Sequence, residues 1–147
     1  MLKKVKLKIE STIYDLGPQE LPEGEPEKTV LECFGSLFIT YGRTSITYTE
    51  NSEGGSIRSE IICLNGQVTV IRSGAIESEL CFVEGETHHS MYSIPPYKFD
   101  ATVEAKRVRV DINENEGTLD LLYNMEIGGV KKAARMKIWI SQVSNQT

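Results

Sequence analysis

The chain has no apolar run near the roughly 18 residues that a membrane-spanning helix requires. Its opening residues, Met1 to Lys8, carry lysines with no apolar stretch behind them, so no signal peptide is expected. Cysteine is scarce. Cys33, Cys63 and Cys81 form an odd set without a Cys-x-x-Cys spacing, which excludes a complete disulfide framework. All three lie in apolar runs and are expected to be buried and inert. Together these features predict a cytoplasmic protein. Histidine is limited to the adjacent pair His88 and His89, which would point to opposite faces of a strand and could not share one metal ion. They are expected at the surface beside a turn, and no metal or cofactor is expected.

Excess positive charge is also missing. Sixteen Lys and Arg stand against 21 Asp and Glu, a net charge of −5, so nucleic acid is not an expected partner, and with no long apolar run neither is a membrane. Two local basic strips, Lys3 to Lys8 and Lys131 to Lys137, read as solvated strand faces. Catalytic signatures are absent as well. Nothing resembles a nucleophile elbow, and Glu53-Gly54-Gly55-Ser56 lacks the Lys and helix of a phosphate loop. An enzyme is therefore the least favoured of three functional classes.

What remains is alternation with a period of two. Val5, Leu7 and Ile9 interleave with Lys4, Lys6 and Lys8, which predicts a strand with one wet face. Thr29 to Tyr41 reads as a long strand bent at Gly35. Asn65-Gly66 between two β runs predicts a two-residue hairpin, because both turn positions favour residues that tolerate positive φ. Val103 and Ala105 share one parity and Val108 and Val110 the other, so a bulge is expected near Lys106-Arg107. Asn115-Glu116-Gly117 predicts a hairpin loop with Gly117 left-handed, and Gly128-Gly129 closes a last hairpin. Lys131 to Lys137 has helical composition, but the alternation through Ile138-Trp139-Ile140 favours a strand. The Pro- and Glu-rich residues 17–27 are expected as a surface loop. The chain thus predicts a single all-β domain, residues 1–147, an antiparallel up-and-down barrel of about 8–10 strands.

Several residues resemble a known family. Val68-Thr69-Val70-Ile71-Arg72-Ser73-Gly74, followed by Leu80-Cys81-Phe82-Val83-Glu84-Gly85, is similar to the YwiB-like family of uncharacterised bacterial proteins. Ile46-Thr47-Tyr48-Thr49-Glu50, Tyr92-x-x-Pro95 and Leu121-x-Tyr123 share the resemblance. Ile94 and Tyr97 depart from it, standing where Thr and Gly are usual. The resemblance implies a calycin-like, that is lipocalin-like, barrel and implies no activity.

Polar residues on apolar strand faces are the candidate site. Arg72 shares parity with Val68 and Val70, Tyr48 and Glu50 share parity with Ile46, and Tyr123 lies in the Leu119 to Ile127 stripe. Either Arg72 and Glu50 sit at strand ends and reach water, or Tyr48, Glu50, Arg72 and Tyr123 form a polar cluster in one mouth of the barrel, with Glu50 pairing Arg72. The second reading implies a small-molecule ligand, partly apolar or anionic. Trp139 has Arg135, Lys137 and Ser141 as parity neighbours and should face outward, under the Pro-rich loop or at a homodimer interface. A filled barrel acting as a structural or interaction domain is the alternative function.

Overall fold

A computed structural model of the chain describes residues 2–143. Ten strands carry the alternation: β1 (Leu2–Leu16), β2 (Pro22–Thr40), β3 (Arg43–Ser52), β4 (Gly55–Leu64) and β5 (Gln67–Gly74). They continue as β6 (Glu77–Val83), β7 (Thr87–Ile94), β8 (Tyr97–Ile112), β9 (Gly117–Ile127) and β10 (Val130–Gln142). Each pairs antiparallel with its neighbours in the chain, and β1 also pairs with β10, so the sheet closes into a barrel. Most inward positions are apolar: Val5, Leu7, Ile46, Ile61, Val68, Phe82, Leu119, Leu121 and Ile138 are all fully buried.

Turn chemistry follows the sequence at most corners. Asn65 and Gly66 take φ of 51° and 77°, and Gly128 and Gly129 take 58° and 85°. The register of β8 on β9 shifts between Ala105 and Arg107, which reverses the inward parity of β8 there. The C-terminal segment is strand β10 and not a helix.

Three expectations need correction. Of the Pro/Glu-rich residues, only 17–21 lie outside strands, and β2 already begins at Pro22. Its first half has β1 on one side and, among the described residues, no strand on the other, so a missing proline N–H costs no ladder bond. Gly24, Glu25 and Pro26 stand opposite Tyr14 alone, as a bulge. Gly117 is not left-handed. It opens β9, where a Cβ would lie 2.5 Å from the Asp111 carbonyl oxygen. The turn before it is built by Asn113, whose Oδ1 accepts the N–H groups of Asn115 and Glu116 at 2.9 and 3.0 Å. Finally, only Cys63 is buried; Cys33 and Cys81 are half-buried.

The wall is ajar at two places. β2 pairs with β3 only over Ser36 to Thr40, and β6 with β7 only at Glu77 and Ser78. At the second opening the β6–β7 turn is fastened to β8 instead, by Gly85 N–H to the Ala105 oxygen at 2.9 Å and Ala105 N–H to Glu86 at 3.1 Å.

Candidate functional site

Hairpin registers place five inward polar side chains on one level. Tyr48 of β3 stands opposite Ser59 of β4, Ser59 opposite Arg72 of β5, Arg72 opposite Ser78 of β6, and Ser78 opposite Tyr92 of β7. Tyr123, from β9, packs its ring edge-on against Phe82 with centroids 4.8 Å apart. It lies within electrostatic reach of Arg72, Tyr48 and Tyr92. Beneath this belt one rung is apolar, Ile46, Ile61, Val70 and Leu80, and the next carries Thr44, Cys63, Val68 and Phe82. On its other side the belt lies one rung from the rim, where Glu50 and Ile57 sit.

The belt is short of partners. Ser59 Oγ, Ser78 Oγ and Arg72 Nε are buried and make no hydrogen bond of ordinary geometry, although the Tyr48 hydroxyl stands close to both Ser59 and Arg72. Native proteins seldom leave buried polar atoms so, and each orphan costs about 1–3 kcal/mol. A guanidinium cannot shed its charge to escape that cost. No carboxylate among the described residues lies within ion-pair distance of Arg72. The expected Arg72–Glu50 pair is therefore not made. Glu50 stands opposite Ile57, one rung nearer the rim than the Ser59–Arg72 rung, and there it faces Cys33 and Tyr48.

Burial raises the pKa of Tyr48 above that of an ordinary phenol, against the opposing pull of Arg72 and Ser59. Tyr123 is likewise raised by burial, against Arg72. Both phenols are thus protonated at neutral pH and can donate. The site combines one cationic donor, phenol hydroxyls and two serine hydroxyls, a set suited to accepting an anion's oxygens.

The sequence-derived candidates Tyr48, Arg72 and Tyr123 come together, and Glu50 lies beside them. Ser59, Ser78 and Tyr92 were not among them. The Asn65-Gly66 turn carried the signal for Ser59, since a two-residue hairpin there sets Ser59 opposite Arg72.

The remaining candidates lie elsewhere. Trp139 faces outward and is half-buried, with Lys8 Nζ 5.4 Å and Lys137 Nζ 4.9 Å from its ring. Lys8 is its direct partner across the ladder, far along β1 from the Gly17–Leu21 turn, so its cover within the chain is lysine and not the Pro-rich segment. His89 is exposed beside Thr102, whereas His88 is half-buried and hydrogen-bonded to Glu86 at 3.2 Å. His88 pairs with the buried Val103 and so shares the inward face of β7.

Two comparisons bear on this geometry. The chain is 24% identical over 124 residues to the uncharacterised β-barrel protein YwiB of Bacillus subtilis (strain 168), covering 84% of this chain and 82% of that one. The crystal structure of ywiB protein from Bacillus subtilis superposes with a TM-score of 0.85 over 97% of this chain and 94% of that one, at 21% identity. That likeness is one of fold. The family model described as "Domain of unknown function (DUF1934)" matches residues 17–140, a stretch that contains the whole polar belt, and the chain belongs to that family.

Proposed function

We propose that this protein is a binding module that takes a small anion at the rim side of the polar belt. The observation that carries the reading is the set of orphaned atoms: Arg72 Nε, Ser59 Oγ and Ser78 Oγ, buried together without a hydrogen bond of ordinary geometry. A carboxylate or phosphate oxygen would accept from Arg72 in a charge-assisted bond, with Tyr48, Tyr123 and the serines as further donors. Ile57, buried one rung nearer the rim, offers it an apolar wall. Burial of Ile46, Ile61, Val70 and Leu80 directly beneath the belt favours a second reading, a structural domain whose belt holds no ligand.

Titration calorimetry at low ionic strength distinguishes the two readings. Phosphate, acetate and butyrate are the probes, with chloride as the control. One of them should bind in equimolar amount, and Arg72→Met should weaken that binding by roughly tenfold or more, the worth of a lost charge-assisted bond. Heats no larger than those of chloride, or binding that Arg72→Met leaves unchanged, would overturn the proposal.

A further inference from the structure

The wall opening beside β2 leaves a strand edge without a neighbouring strand among the described residues. From Pro22 to Gly35, β2 pairs with β1 alone, and β3 joins it only at Ser36. Open edges are templates for another strand, and proteins blunt them with proline, bulges and charge. Here those devices gather at one end: Pro22, Pro26 and the Gly24 bulge. Thr29 to Phe34 has no proline and no bulge and is rich in β-favouring residues, and on its outer face Val30 and Phe34 are each 59% exposed, with Lys4 Nζ 4.7 Å from the Phe34 ring.

The outer face of this stretch reads Pro26, Lys28, Val30, Glu32, Phe34. About Val30 it is antisymmetric in charge and matched in apolar character. Lys28 and Glu32 are both exposed, and neither makes an ion pair among the described residues. We infer that two copies of this chain pair edge to edge through β2, antiparallel, with Val30 on the twofold axis. In that register Lys28 meets Glu32 of the second copy twice over, Pro26 covers Phe34, and Val30 packs on Val30. Centring instead on Lys28 or on Glu32 brings like charges face to face, which is destabilising. Centring on Thr29 or Leu31 sets Lys28 and Glu32 against apolar or proline side chains. Charge therefore selects a single register, and it selects a second copy over an unrelated peptide. A twofold interface requires such self-complementarity. Lys28, which on a bare edge would repel a second strand, becomes the residue that sets the register. None of these residues lines the polar belt, so the inference is independent of the proposed ligand.

Sedimentation velocity on the full chain across a concentration series tests it. The chain should be dimeric. Lys28→Glu should raise the dissociation constant by about tenfold or more, because both ion pairs become repulsions. The exchange Lys28→Glu with Glu32→Lys should restore it, with circular dichroism confirming that each variant is folded. A monomer at every concentration would overturn the inference. So would a dimer that Lys28→Glu leaves untouched, or one that the double exchange fails to rescue.

Discussion

Arg72 is legible in the sequence as an inward residue because Val68 and Val70 share its parity, and Tyr48 and Tyr123 are legible in the same way. Its surroundings are less so. Serine is neutral in pattern, so Ser59 and Ser78 read as gaps in an apolar stripe rather than as members of a belt. Glu50 reads as the natural partner of Arg72, since it shares parity with Tyr48. Only the register, which sets it opposite Ile57, shows that it stands one rung too high. The cysteines show the same limit. Burial pushes the Cys63 thiol up to about 11, so it carries almost no thiolate at neutral pH. Burial also raises Cys33 and Cys81, which are only half-buried. Timed alkylation with mass-spectrometric mapping should therefore find Cys33 and Cys81 modified first and Cys63 modified only on unfolding. Modification of Cys63 in native buffer at the rate of the other two would contradict this burial.

Among the elements, strands with one wet face and two-residue turns were readable, because alternation and Asn-Gly or Gly-Gly chemistry are local. The start of β2 was not. Its prolines signal a loop unless it is known that one side of the strand has no neighbour, and that is a property of the tertiary fold. Gly35 marks where β2 takes up its second partner. A Cβ there would lie 2.5 Å from the Thr47 carbonyl oxygen and 2.6 Å from Leu7 Cδ1. Gly35→Ala should cost about 1–3 kcal/mol, as overpacking against backbone does, read as a lower urea midpoint. An unchanged midpoint would mean that β2 and β3 separate without strain at this point.

Strands β9 and β10 are clasped by Arg135, which donates two hydrogen bonds to the Asp120 carboxylate at 3.1 and 3.0 Å. That bonding holds Asp120 below its ordinary pKa of 3.8, so the pair stabilises the fold above that value. The contribution is lost as pH falls through the lowered folded value. Because Arg135 is half exposed, the contribution is at most about 1 kcal/mol. Arg135→Gln should destabilise by that amount at neutral pH, and its gap from the parent should close in acid. A gap that stays constant down to the acid limit would remove the ion pair as its cause.

For the whole molecule, closure of ten strands into a barrel was accessible from the sequence, because hairpins joined in series have few other ways to bury one face. The two openings in the wall were not, since each depends on where two long strands diverge. Those openings leave one strand edge free, and the inward parity of five neighbouring strands assembles the belt. Arg72, with no carboxylate at ion-pair distance among the described residues and its Nε unbonded, is the centre of the functional account. Sites held ready for a ligand are commonly maintained at a cost to stability. The most direct measurement is the unfolding free energy of Arg72→Met against the parent, in buffer free of small anions and again with phosphate or butyrate added. Without the anion the variant should equal or exceed the parent, because an uncompensated charge has been removed. With it, the parent alone should gain stability by mass action. A loss of about 3–5 kcal/mol in anion-free buffer would instead mean that Arg72 is half of a structural pair, and the belt would not be a binding site.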